Sequence, residues 1–262
     1  MNNNLKPVRL IIIAIWALLI SCGNTIAAEK IEALSFYESP PYLTDPVSNA
    51  GLAADFAAYL NMALSEKYQI HLQFLPRTQV DKMMRRGDKA CVLFIPSFIY
   101  NGVDNGPYLW TAPLFKDRQE LISRKNHPFE FNGPASLFGV HFGAMLGHTF
   151  PQLTKDIAAG KIKVERNSSG LQSLINMLLA SHLDVVTMPE SSIRLMMVED
   201  PSLSDKLWFS KQSLSEYTRH VMFQQGMEVE RNDVDLVMRK MNSDPVWLAI
   251  LKKYGLQPIS NH

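Results

Sequence analysis

Cysteine is almost missing from this sequence: two residues of 262, Cys22 and Cys91. Cys22 lies in an N-terminal segment that reads as a processed leader, so Cys91 has no partner within the chain and the fold must stand without disulfides. Cys91 opens the apolar run Cys91-Val92-Leu93-Phe94-Ile95, where a thiol acts as a small buried hydrophobe. A strong charge of either sign is also lacking, with 26 basic and 25 acidic residues and a net charge of +1. That balance provides no long-range field for gathering nucleic acid. The histidines at 71, 127, 141, 148, 182, 220 and 262 show no metal-ligand spacing. Neither a Gly-x-Ser-x-Gly elbow nor a Gly-Lys-Ser/Thr phosphate loop occurs. No enzyme chemistry, cofactor or metal is therefore expected. Repeats and low-complexity tracts are absent, which excludes coiled coils and solenoids.

One hydrophobic run stands out, Leu10 to Ile20, preceded by Lys6 and Arg9 and followed by no acidic residue until Glu29. A basic start and a run too short to span a bilayer make residues 1–28 a secretory signal. Two cleavage readings stay open. Leu19-Ile20-Ser21-Cys22 resembles a lipobox, which would leave an acylated Cys22. Thr25-Ile26-Ala27-Ala28 would instead release an unanchored chain from about Glu29. Either way the chain is expected in the periplasm.

What remains alternates between strand-like and helix-like patterns. Strands are expected at Ile31–Phe36, Gln69–Leu75, Cys91–Ile95 and Glu120–Arg124, near Val140, and at Ile162–Glu165, Leu183–Met188 and His220–Phe223. Helices are expected at Gly51–Tyr68, Thr78–Arg86, from Phe150, at Ser169–Ala180, Ser191–Val198, Asn232–Met241 and Pro245–Tyr254. Ser243 or Asp244 would cap the last, with Pro245 in its first turn. Two βα series of similar length and a closing tail predict an α/β protein of two lobes. The chain would cross between them near Phe115–Arg118 and Ser215–Arg219, giving 29–116 and 220–262 to one lobe and 117–219 to the other.

The order of short motifs resembles the bacterial extracellular solute-binding proteins of family 3. It includes Pro40-Pro41-Tyr42, Gly51-Leu52-Ala53-Ala54-Asp55-Phe56, Trp110-Thr111-Ala112-Pro113-Leu114-Phe115, Asp184-Val185-Val186 and a C-terminal Lys253-Tyr254-Gly255. The resemblance covers the mature chain and implies a type II periplasmic-binding fold. It also implies a monomer that closes on a small polar solute and presents it to a separate ABC permease or a sensor's outer domain. Two departures concern the ligand. Phe98 to Asp104 lacks the arginine with which amino-acid binders of the family grip a carboxylate. Their ammonium-holding aspartate falls at Met188 or Pro189, with Glu190 one step on. An amino-acid ligand is thus not expected. A sensory protein on the same fold, and a remnant that binds nothing, stand as the alternatives.

In such a fold the ligand sits between lobes, at loop ends and helix N-termini. Arg77 would present a fork of donors at the cleft edge to a carboxylate or phosphate. Tyr37, Tyr42 and Trp110 flank the expected cleft and offer aromatic faces, or else pack lobe against loop. Met145, Gly147, His148 and Thr149 precede a helix and would offer backbone donors and one imidazole. Ser168 and Ser169 read first as helix caps, and a carboxylate at Glu190 is favoured by a helix dipole alone.

Overall fold

The computed structural model describes residues 28–259. The expected signal segment and the Cys22 alternative lie outside them. The strands that read as apolar on both faces occupy sheet interiors, as parallel strands covered on both sides must. In chain order the strands are β1 (Glu29–Ser35), β2 (Tyr68–Phe74) and β3 (Cys91–Pro96), then the short β4 (Leu109–Trp110). The long β5 (Phe115–Arg124) leads to β6 (Phe142–Met145), β7 (Val164–Asn167), β8 (Val185–Pro189) and β9 (Leu207–Phe209), and β10 (Ser215–Phe223) returns. They form one sheet in the order β2-β1-β3-β10-β5-β8-β6-β7, with β4 added to β10 and β9 to β5.

The two ends of this sheet are parallel, β2-β1-β3 at one and β8-β6-β7 at the other. Between them β10 and β5 run antiparallel to each other and to their outer neighbours. The fold is therefore two α/β lobes joined by two crossing strands. On the first lobe α1 (Leu52–Ala63), α2 (Arg77–Arg86), α8 (Glu228–Met241) and α9 (Pro245–Lys253) cover the sheet. On the second lie α4 (Thr154–Ala158), α5 (Leu171–Leu179), α6 (Glu190–Glu199) and α7 (Leu203–Lys206), while the one-turn α3 (Gly102–Asn105) follows β3.

Each lobe has its own core. Phe56, Leu60, Leu93, Phe94, Val221, Trp247 and Leu251 belong to the first, which Met84, Val92 and Met222 extend on the sheet's other face. Leu174, Ile175, Val186 and Ile193 form one side of the second, with Leu137, Phe142 and Leu153 on the other. Helix α6 is shared: Ile193 and Met196 face the second core while Leu195 packs into the first. Gly51, which opens α1, needs its positive φ of 149°, and a Cβ there would run into the Tyr42 carbonyl.

The expected helix over Gly51–Tyr68 ends at Ala63, because Tyr68 is claimed by β2, where it pairs with Glu29. The strand near Val140 lies at Phe142–Met145, and the first tail helix starts at Glu228 rather than Asn232. Both crossings extend further as strand than their apolar runs indicate. Lys116 to Gln119 and Ser215 to Arg219 are polar, yet they pair with each other in register. Ser168 and Ser169 do not cap α5. Gly170 holds the N-cap position, and the Ser169 N–H donates to the Asn167 side chain at 2.7 Å.

Candidate functional site

Loops leaving the C-terminal ends of β1, β2, β3, β6 and β8 converge where the parallel ends meet the crossing strands. Free backbone groups and loop side chains collect at that edge of any such sheet. The crossing strands supply its floor, a buried ion pair between Asp117 of β5 and Arg219 of β10. Arg219 is 2% exposed and spends all five N–H groups. Nε and Nη2 donate to Asp117 Oδ2 at 2.9 and 2.7 Å. Nη1 donates to Tyr37 Oη at 2.8 Å and the Phe94 carbonyl at 3.1 Å, and Nη2 also to Tyr217 Oη at 3.2 Å. The rings of Tyr37, Tyr42 and Tyr217 surround its carbon at 5.0–5.1 Å.

Asp117 is equally saturated. It accepts from the Arg118 and Ser191 amides on Oδ1 and from Ser191 Oγ on Oδ2, besides Arg219. Burial opposes the Arg219 charge, but the oxygens of Tyr217, Tyr42, Tyr37 and Asp117 outweigh it and hold the guanidinium protonated well above its ordinary range. Phe94 contributes its carbonyl from a left-handed conformation, φ 60°, within an otherwise extended strand. Strain of this kind costs about 1–3 kcal/mol and persists only where neighbours enforce it. One cluster thus fastens strands from both lobes and the start of α6. Ser192 Oγ adds a bond to the Pro40 carbonyl at 2.7 Å, and Tyr42 Oη lies 3.2 Å from Ser191 Oγ.

Above this floor the side chains are not spent. Arg77, at the first position of α2, is exposed, stacks on Phe36 at 5.2 Å and lies 3.8 Å from Asp81. It donates no hydrogen bond among the described residues. Asp81 is already engaged by the Tyr100 hydroxyl. The rings of Phe36, Tyr37 and Tyr42 follow at centroid spacings of 4.7 and 4.5 Å. Phe98, 59% exposed, meets Tyr217 edge-on at 5.3 Å. From the other lobe, half-buried His148 comes near enough to feel the Arg219 charge. Burial and the charges of Arg166 and Arg219 lower its pKa, so the imidazole is neutral at pH 7.

The eight side chains singled out in the sequence are distributed unevenly. Tyr37 bonds to Arg219 at the hinge, Arg77 lies near enough for its charge to act on Tyr37, and His148 feels the charge of Arg219 from the other lobe. Tyr42 is 1% exposed and packs between Tyr37 and Phe94, which leaves it no free face. Trp110 is 8% exposed and sits in the first lobe's core, edge-on to His220 at 5.8 Å. Met145 is half-buried against the second core, and Thr149 is exposed on the same loop. Glu190 is tied to Arg194 at 2.9 Å, one turn along α6. Asp117, Tyr217 and Arg219 were not singled out. Their signal was a pair of opposite charges, one in each predicted crossing, and only strand pairing makes them neighbours.

Cys91 is buried without a partner among the described residues, and burial pushes its thiol up to about 12. Such a thiol is unreactive. No cluster of three or more His, Cys, Asp or Glu side chains able to hold a metal occurs among the described residues. No described helix is long and apolar enough to cross a membrane.

No protein-family model matches the sequence, and no curated protein matches it significantly. Solved structures do match in fold. One comes from work on glutathione import via GshT and the cystine ABC importer TcyBC of Streptococcus mutans. It has 15% identity and a TM-score of 0.67 over 89% of this chain and 98% of the other. Another, the GluR0 ligand-binding core of Nostoc punctiforme in complex with L-glutamate, has 10% identity and a TM-score of 0.64 over 86% and 98%. An ancestral arginine-binding protein bound to arginine has 15% identity and a TM-score of 0.63 over 87% and 99%. The architecture is thus that of two-lobed ligand-binding proteins along nearly their full length.

Proposed function

We propose that the chain is an exported solute-binding protein whose lobes, 29–116 with 220–262 and 117–219, close on a small solute and present it to an ABC-type importer. The observation that carries this reading is the contrast at the meeting of the lobes. The hinge charges are fully satisfied, while Arg77, Tyr37 and His148 stand beside them with donors or lone pairs to spare. A saturated hinge keeps the crossing strands paired with each other, so the lobes move by a twist of those strands that changes how far their outer parts stand apart. A solute that touches both lobes favours the closed form by its extra contacts there. The matching folds belong to proteins whose names speak of arginine, glutamate and glutathione import, which supports a binding rather than a catalytic role. Export to the periplasm rests on the basic start and apolar run of residues 1–28.

The test is a thermal-shift screen of the exported protein, purified from the cell envelope, against a broad panel of small solutes. At a hundredfold excess over its dissociation constant a ligand adds about 2.7 kcal/mol. For a chain of this size that is a rise of about 5–10 °C. No shift with any solute class would remove the binding function. Mass spectrometry of the same material distinguishes an acylated Cys22 from an N-terminus at Glu29.

A further inference from the structure

We propose that the solute is an organic carboxylate with an apolar body and no amino group, gripped by Arg77 and by the hydroxyls of Tyr37 and Tyr217. This rests on the cleft being the solute site, and it goes further by naming the chemistry recognised there.

The argument is a count of donors against acceptors. Tyr37 Oη and Tyr217 Oη each accept a hydrogen bond from Arg219. Neither hydroxyl hydrogen has an acceptor among the described residues. With one lone-pair direction fixed by the guanidinium, each phenol is left as a donor. Both rings lie over Arg219, at 5.1 and 5.0 Å, and both are half-buried rather than sealed. Arg77 adds a planar fork that donates no hydrogen bond among the described residues and has Asp81 at 3.8 Å; it is steadied by Phe36, whose ring adjoins that of Tyr37. It is close enough for its charge to act on the Tyr37 phenol. Two fixed hydroxyls and a guanidinium suit a carboxylate, which accepts several hydrogen bonds and matches the fork bidentately.

Acceptors for an ammonium are missing from the same place. Asp117 is buried and takes five donors of the protein itself. Asp81 accepts from Tyr100 on Oδ1 and faces Arg77 with Oδ2, and Glu190 pairs with Arg194 through Oε1. Glu120 is 5% exposed. Glu38, next to Tyr37, is exposed to water, where an ion pair contributes little. Arg77 faces Asp81 and Arg219 faces Asp117, so each carboxylate at this place already stands against a guanidinium. An ammonium brought there would lose its hydration with no carboxylate to replace it. The exposed ring of Phe98 and the half-buried ring of Phe36 would cover the apolar part of the solute.

Isothermal titration of the full exported chain with matched pairs tests this: 3-phenylpropanoate against phenylalanine, glutarate against glutamate, and benzyl alcohol as the neutral control. The expected result is binding of the plain carboxylates, with the amino-bearing partner and the alcohol weaker by about tenfold or more. Arg77→Gln should weaken the carboxylate by at least about tenfold. Because Arg77 is exposed and makes no hydrogen bond among the described residues, the variant should melt like the wild type. Glu38→Gln should leave the affinity unchanged. Equal or tighter binding of the amino acids would overturn the inference yet leave the binding function standing. Carboxylate binding that is indifferent to Arg77→Gln would overturn the assigned grip. No binding of anionic, cationic or neutral solutes alike would overturn both.

Discussion

At the scale of single residues, the hinge cluster and its neighbour Glu120 make opposite demands on charge. Arg219 is charged, buried and saturated, so removing it strands Asp117 without its cation. Breaking one side of such a pair costs about 3–5 kcal/mol. Arg219→Met should therefore lower the urea midpoint strongly. The double variant Arg219→Met with Asp117→Leu should regain part of the loss, and no recovery would show that the cluster acts otherwise than as a pair.

Glu120, also on β5, is buried with one carboxylate oxygen lacking a partner among the described residues. Its other oxygen is 3.0 Å from Arg118 Nε, but that N–H is not aligned as a hydrogen bond. Burial, with the nearby Glu190 charge added, raises its pKa to about 7, against the opposing pull of Arg118 and Arg194. A carboxyl whose folded pKa is raised favours folding while protonated. That contribution is complete below about pH 4.5 and is lost as pH climbs through about 7. Glu120→Gln should thus melt above the wild type at pH 8, by about 2 kcal/mol in stability, and draw level by pH 4. Thermal melts across this range would show a constant gap if the ionisation were irrelevant.

Among elements, the two tail helices matter more than their place at the end of the chain implies. Asp244 caps α9 by accepting the Val246 N–H at 2.8 Å, as the sequence led one to expect, and it also accepts the Tyr59 hydroxyl of α1 at 2.8 Å. Asp244→Ala removes both bonds and should cost about 1–2 kcal/mol by urea denaturation. One turn on, Trp247 is fully buried, 5.5 Å from the Phe56 ring. Trp247→Ala should cost about 3–5 kcal/mol. Helix α8 reaches the hinge, because Asp235 accepts the Ala112 N–H just before β5 and also pairs with Arg239. At the outer edge of the sheet, Asn61 exchanges two hydrogen bonds with the main chain of Ile70, at 2.7 and 3.0 Å. That occupies part of an edge otherwise open to pairing with another chain.

For the whole molecule, the continuous sheet limits how the lobes can move. Strands β5 and β10 are paired with each other and with a lobe on either side, so twisting the crossing strands is easier than separating them. A solute that bridges Arg77 and the His148 loop should shrink the radius of gyration in solution scattering. An unchanged radius at saturation would mean that recognition occurs on one lobe without closure.

Sequence patterning by itself determined the alternation of strands and helices, the α/β class and the two crossings. Each of these rests on local periodicity and on turn chemistry within a few residues. It also marked Arg77, because a cation at a helix start after a strand is a local feature. Only the tertiary structure decided which polar residues meet. Asp117 and Arg219 are 102 residues apart, and nothing in either neighbourhood indicates that β5 and β10 pair in the register that joins them. Tyr42 and Trp110 look like Tyr37 and Tyr217 in sequence, each an aromatic near a strand end. Burial separates them: packing closes over the first two and leaves the second two half-open above a guanidinium. That outcome depends on the summed shape of two lobes, and local sequence does not record it.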